Sequence, residues 1–440
     1  MALTTHQKNI ILWSIVIILF ITFLGLKFHR ASPRSATLEF WGTLDDPQVI
    51  SSLITKFHHL YPNIHIKYTS KDSKTYYQDL LQAFASDKSP DMFMLLGNWL
   101  PLFGDKITPL NMQRDKVLTS RLFDHLYPEA AKEELVKGKD LEGIPLYIDT
   151  LALYYNKDIF NYYNIALPPS TWKELLQLIP RLRKIDSQGQ IKRAAIALGT
   201  GHNTNWSTDI ISTLMMQYGS SVVDPQTKKV AFNQYLSSPN GSYKAFSPGE
   251  EALKFYTQFS NPRSRYYTWN DGFPNSILAF TRGQTTMFIG YNRAQKVIKK
   301  YAPGLNYGIA PLPRLTNNPA RVNNASIMTV VVSKRSPNSR AAWLFLKFLA
   351  QKDNAQFYFL QTKNPPARRD LIKEYLNDPQ VGTFINQTLS SKTWYQFNFK
   401  QVAQIFTDMV DSVLRNNIAP SQAIMAAGER INLLTRKKNE

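Results

Sequence analysis

Apolar residues at Val49, Ile50, Leu53, Ile54, Phe57 and Leu60 recur at the spacing of one helical face, and Pro62 closes the run. The stretch before it, 37–41, reads as a strand, and 63–68 alternates as a second. A further amphipathic helix covers 76–85, and 90–96 is a nearly all-apolar third strand. Strand, helix, strand, helix, strand with buried strands predicts βαβ units around a mainly parallel sheet.

The same grammar restarts downstream. Thr171 is placed as a helix N-cap, with Glu174 three residues later completing a capping box, and the helix should run to about Arg183. A short strand at 194–198, a helix over 209–218 ending near Gly219, and helices over 341–349 and 418–435 follow. Two sets of α/β units predict two lobes, and ligands of open α/β sheets sit beyond the strand C-termini, so the expected site is a cleft between them.

Between the two sets lies GIPLYIDTLALYYNKDIF, residues 143–160. Two strand-like runs meet at Asp149 and Thr150. An ionised Asp is costly to bury without partners. Either a plain turn joins the strands, or a crossover points Asp149 into a cleft.

Residues 10–26 form an unbroken uncharged apolar run, about 25 Å long as a helix and so at the short end of a membrane span. The following Lys-Phe-His-Arg fits a signal-peptidase site poorly, so an uncleaved anchor in the lipid bilayer is expected. Lys27, Arg30 and Arg34 after the run, against Lys8 before it, favour a cytoplasmic body by charge bias alone.

The chain has 440 residues, which suggests more than one domain, and no cysteine, which excludes disulfides, thiolate metal sites and a Cys nucleophile. A net charge of +20 suits an anionic envelope surface. Nucleic acid is disfavoured, because Lys and Arg are spread along the chain and no aromatic-interleaved or finger motif occurs. No phosphate loop, dinucleotide fingerprint, metalloprotease helix or nucleophile elbow is present. His58, His59 and His65 read as solvated surface rather than a metal site, and Asp408 and Asp411 as ordinary helix-face acids. No catalytic residue, metal or cofactor is assigned.

The tryptophans carry more. Trp172 and Trp343 sit in apolar helices and are expected to be packing residues. Trp41, Trp99, Trp206, Trp269 and Trp394 lie at strand ends or in loops among Asn, Asp, Gly and Thr. Flat aromatic faces bordered by amides and carboxylates suit sugar rings, although a loop tryptophan can equally cover a hydrophobic edge.

The segments LEFWG (38–42), SPDMF (89–93), the 143–160 stretch, PPSTWKEL (168–175), AFTRGQTTMFIGYN (279–292), YGIAPLP (307–313), VVVSKRSPNSRAAWLFLKFL (330–349) and NPPARRDL (364–371) resemble, in order and spacing, the sugar-binding solute-binding proteins of ABC importers, the maltose-binding-protein-like group. The resemblance implies an α/β, two-lobed periplasmic-binding-protein (Venus-flytrap) fold with an interlobe cleft, here carried on the N-terminal transmembrane helix. It implies 1–35 as anchor and linker, 36–148 and 323–372 as the first lobe, and 149–322 and 373–440 as the second. It further implies capture of a carbohydrate, no enzymatic step, delivery to an ABC permease, a monomer, and a body outside the cell membrane; the last overrides the charge bias.

Carried over by the same resemblance, Asp149 would accept hydrogen bonds from ligand hydroxyls. Trp41, Thr43, Asp45, Asn98 and Trp99 would line the first lobe, and Trp206, Asp209, Tyr291 and Trp394 the second. Trp269 is added on composition alone. The chain departs from the group at 322–326, Val-Asn-Asn-Ala-Ser where a Gly-rich stretch is usual, and in lacking a lipid-attachment Cys. Two alternatives stay open: a same-fold protein for a non-sugar or anionic solute, or an anchored glycoside hydrolase with two carboxylates facing each other across the cleft.

Overall fold

The computed structural model describes residues 35–43, 47–236, 245–315 and 321–436; the apolar run at 10–26 and Asp45 lie outside them. Among the described residues no helix is long and apolar enough to cross a membrane.

The strands of five residues or more are β1 (Ala36–Gly42), β2 (Ile64–Ser70), β3 (Met92–Leu96), β4 (Ile144–Thr150), β5 (Ala152–Asn156), β6 (Ile191–Ala197), β7 (Thr285–Gly290), β8 (Tyr307–Pro311) and β9 (Asn323–Val332). The first sheet runs β2-β1-β3-β9, with β4 also paired to β9 and the short strand Ser391–Lys392 at its far end. The second runs β8-β5-β7-β6 and ends on Lys184–Ile185. Each sheet anchors one lobe.

The helices predicted from periodicity are present at Pro47–Leu60, Tyr76–Ala85, Trp172–Leu182, Ser207–Gln217, Ser339–Leu349 and Pro420–Arg436. Both halves of the capping box form: the Thr171 hydroxyl accepts from the Glu174 amide at 3.2 Å, and the Glu174 carboxylate accepts from the Thr171 amide at 3.3 Å. The box also binds the Ser170 amide, which holds the Glu174 carboxyl below its ordinary range.

The sheets are less parallel than the βαβ reading expects. β1 pairs in parallel with β2 and β3, and β6 with β7. However, β9 runs antiparallel to both β3 and β4, and β5 runs antiparallel to both β7 and β8. The physical reason is connectivity. β5 and β9 enter their sheets from the opposite lobe, so no crossover helix sets their direction.

The first core gathers Leu38 and Phe40 from β1, Leu53 and Phe57 from the following helix, β3, and Phe345 and Leu346. In the second lobe Leu153, Trp172, Ile196, Leu214, Trp394 and Phe406 pack on one side of the sheet. Tyr154, Trp269, Phe280, Phe288, Ile372 and Phe384 belong to a third core. Alternation along β5 divides Leu153 from Tyr154 between these two cores. Trp172 and Trp343 are buried packing residues as read from the sequence; their indole N–H groups donate to Gln217 Oε1 at 2.7 Å and to the Thr108 carbonyl at 2.9 Å.

The capping box is a test of local sequence control over the second lobe. Thr171→Ala should destabilise the protein by about 1 kcal/mol in urea unfolding, and adding Glu174→Ala should cost less than the sum of the two single changes, because each half of the box orients the other.

Candidate functional site

β4 is buried along its whole length, and its last two residues pair with β9 as Asp149 with Ser326 and Thr150 with Ala325. Only Leu151 separates β4 from β5, so the chain passes between lobes in an extended stretch. Asp149 is 1 % exposed. Its Oδ1 accepts from the amides of Thr150 and Asn292, each at 2.9 Å, and its Oδ2 accepts from the Arg293 amide at 3.4 Å. Burial pushes this carboxyl up to about 6, against the pull of the Arg293 guanidinium 4.0 Å away and of the three amides.

This corrects the expectation that Asp149 offers its oxygens to a ligand. The carboxylate is engaged internally and ties the crossover to the loop after β7. That loop carries Tyr291 and Arg293. The Arg293 guanidinium lies 4.2 Å from the Tyr291 ring centroid and 5.2 Å from that of Trp206, and its Nη1 donates to Ser326 Oγ at 3.1 Å. Trp206 adopts left-handed backbone, φ +57°, just before helix Ser207–Gln217, a conformation uncommon for a bulky residue. Its ring can lie against β7 because position 290 is glycine: a Cβ there would come within 2.7 Å of the indole.

Two cavities open along this seam. The first has Asn98 and Glu134 on one wall and Asp209, Tyr291 and Trp394 on the other, with Asn324 at the crossover. The Tyr291 hydroxyl donates to Asp209 at 3.0 Å and accepts from Asn324 Nδ2 at 2.8 Å. Burial raises both the Asp209 carboxyl and the Tyr291 phenol. Trp394 and Asn324 are 7 % and 5 % exposed. Among the described residues the Trp394 indole N–H and the Asn324 carbonyl oxygen, both buried, have no hydrogen-bond partner. The second cavity is bordered by Thr43, Ser73, Tyr76, Trp99, Met328 and Arg293.

The structure therefore brings Asn98, Asp209, Tyr291 and Trp394 to one cavity and Thr43 and Trp99 to the other. Trp206 stands behind Tyr291, edge-on at 5.4 Å. Trp41 borders neither cavity and carries the Lys71 ammonium 3.8 Å from its ring centroid. Trp269 is fully buried, stacked on Phe273 at 4.7 Å, with its N–H donating to Thr200 and Asn203; it supports the second lobe and shows no face to the cleft. Asp45 lies outside the described residues.

Sequence reasoning missed Glu134, Arg293 and Asn324. Glu134 sits in the helix Glu129–Leu135, where an acid reads as surface. The cue for Arg293 was its position directly after the IGYN stretch. The His58 and His65 rings lie 4.9 Å apart and tilted by 40°, and among the described residues no group of three potential metal ligands occurs. Asp408 forms an ion pair with Arg430, and Asp411 shares a hydrogen bond with His202 Nε2, each at 2.8 Å and on the protein surface.

The lobes also touch directly. Trp99 stacks on Phe399 of the second lobe at 5.1 Å and 13°, Tyr77 meets both rings edge-on, and the Lys400 ammonium lies 4.0 Å from the Tyr77 centroid.

Comparison with known proteins gives a consistent setting. Residues 41–356 match the family described as bacterial extracellular solute-binding protein. The chain is 24% identical to a probable ABC transporter-binding protein of Deinococcus radiodurans, over 79% of this chain and 80% of that one. It is 21% identical to the galactooligosaccharide-binding protein of Bacillus subtilis, over 80% of this chain and 76% of its relative. Its fold matches the sugar-binding protein MalE of Xanthomonas citri with a TM-score of 0.71 at 21% identity, covering 92% of this chain and 98% of the other.

Two outcomes test the site's electrostatics. Burial lifts Glu134 from 4.5 to about 7. A folded value above the unfolded one means that the ionised acid destabilises the fold, from its unfolded value upward, until the cost levels off above the folded value. The stability gained by Glu134→Gln should therefore be larger at pH 8 than at pH 6, by about 1 kcal/mol in chemical unfolding. Asp149→Asn should cost about 2–4 kcal/mol at neutral pH, because the amide's NH2 end would face backbone N–H groups that need an acceptor.

Proposed function

The chain belongs to the bacterial extracellular solute-binding proteins, and within that family we propose that it captures a carbohydrate, an oligosaccharide, between its lobes and hands it to an ABC permease. The observation that supports this reading best is the pair of unsatisfied groups in the first cavity. Trp394 offers a donor and Asn324 an acceptor, both buried and both in residues of a lining that also holds an amide, two carboxylic acids and a phenol. A hydroxyl is the group that can accept from one and donate to the other at once. Leaving them unmade costs free energy that a polyol would recover on binding.

The capture needs no chemical step. Ligand contacts to both walls favour the conformation in which the lobes meet, so binding and closure are one population shift. Aromatic faces supply contact area, while the amides and acids orient the ring. Tethering by residues 10–26 at the outer face of the membrane, and a monomeric state, complete the proposal. The hydrolase alternative would enlist Glu134 and Asp209, which border the same cavity from opposite walls. Product formation is its discriminator.

A thermal-shift panel on the full chain in detergent, with neutral oligosaccharides, uronates, sugar phosphates and polyamines, tests the reading. A saccharide should raise the midpoint by mass action, with no product. Trp394→Phe keeps an aromatic ring but removes the N–H and the fused five-membered ring. It should weaken saccharide binding by about 5- to 10-fold and lower the midpoint of the ligand-free protein only slightly, since the void left in the core is offset in part by loss of an unpaired buried donor. Turnover in any well would make the protein an enzyme. A Trp394→Phe variant with unchanged affinity would remove the indole N–H from the site.

A further inference from the structure

The two cavities differ in charge. Glu134 and Asp209 border the first, whereas Arg293 is the one charged side chain bordering the second among the described residues. A guanidinium in a partly buried wall calls for a counter-charge. Its nearest anion is Asp149, but that carboxylate is already shared among three backbone amides, and the guanidinium comes no closer than 4.0 Å. A structural Arg–carboxylate pair would instead be short and bidentate, at about 2.7–2.9 Å.

Arg293 donates through Nη1 to Ser326, and the same nitrogen is the one that lies 4.0 Å from Asp149; its Nε and Nη2 donate to no described residue. Stacking against Tyr291 and Trp206 fixes the plane of the fork without using those donors. Thr43 and Ser73 bring two hydroxyls to the same cavity, and neither makes a hydrogen bond to a described residue. Outside the cavity lining, Lys71 lies over Trp41, and Lys400 lies over Tyr77, which is edge-on to Trp99. Neither lysine is in an ion pair among the described residues.

We propose that the cavity between Trp99 and Arg293 is a subsite for one anionic group, a carboxylate or a phosphate monoester, carried by the captured saccharide. The proposal rests on the carbohydrate reading above and adds the ligand's charge to it. Arg293 supplies two N–H donors to the anion's oxygens, Thr43 and Ser73 supply hydroxyls, and Trp99 with Met328 covers the apolar face of the attached ring.

Isothermal titration of the full chain with two matched pairs and a bare anion decides it: trigalacturonate and its methyl ester, glucose 6-phosphate and glucose, and inorganic phosphate. The charged member of one pair should bind at least about tenfold tighter than its neutral partner, the worth of a charge-assisted hydrogen bond. Which pair responds tells carboxylate from phosphate. The preference should shrink as salt is raised. It should fall to within about twofold in Arg293→Gln and survive in part in Arg293→Lys, which keeps the charge but not the fork.

If Arg293→Gln does not fold, the wild-type ratio and its salt dependence decide alone. Neutral members binding as tightly as charged ones would overturn the anion subsite and leave the carbohydrate reading standing. Inorganic phosphate binding in an Arg293-dependent manner, with no saccharide binding, would keep the subsite and overturn the carbohydrate reading. Silence from all five probes would overturn the subsite.

Discussion

A carboxylate buried at a chain crossing is the constraint on which the rest of the site depends. Asp149 ends the strand that leaves the first lobe, and it is surrounded by protein. A charge there is tolerable only if nearby donors replace water. The donors it finds are the amides of Asn292 and Arg293, more than 140 residues later in the chain. Satisfying one acid therefore fixes the loop after β7, and with it the placement of Tyr291 and the Arg293 guanidinium. β9 adds the second strap, running antiparallel to β4 so that Ser326 lies opposite Asp149 and receives Arg293.

Around that junction the two walls are built on different principles. The Glu134, Asp209 and Trp394 end is a network of neutralisable acids, a phenol and amides, in which burial raises the acids towards their protonated, donating forms. The Trp99 and Arg293 end is aromatic and cationic. Between the lobes the direct contact is chiefly aromatic, Trp99 on Phe399 with Tyr77 at their edges. Aromatic stacking of this kind contributes about 0.5–1.5 kcal/mol per pair beyond area, small enough for a ligand to shift the balance between open and closed forms.

Local structure was legible because its causes are local. The capping box at Thr171 and Glu174 and the helical stripe from Val49 to Phe57 each need only neighbours within one or two turns. The order of motifs along the chain identified the two-lobed fold for the same reason: each landmark is a short packing solution of its own. What composition alone suggested was less secure. Trp269 has the polar sequence neighbours expected of a ligand-facing tryptophan, Thr, Asn, Asp and Gly, yet the third core has taken in its ring, and its N–H is satisfied by Thr200 and Asn203.

The sequence by itself determined the element pattern, the position of the first crossover and the family, since these depend on periodicity, caps and short motifs. It also showed that Asp149 had to be explained. Only the tertiary structure decided where that carboxylate points, that Arg293 and Glu134 border the cleft, and that Asn324 and Trp394 share a cavity. Those outcomes turn on which groups meet across large sequence separations: 144 residues from Asp149 to Arg293, and 206 from Gly201 to Thr407, whose hydroxyl donates to the Gly201 carbonyl. A buried polar group accepts whatever donor the fold delivers, and no local pattern in the chain records which one that will be.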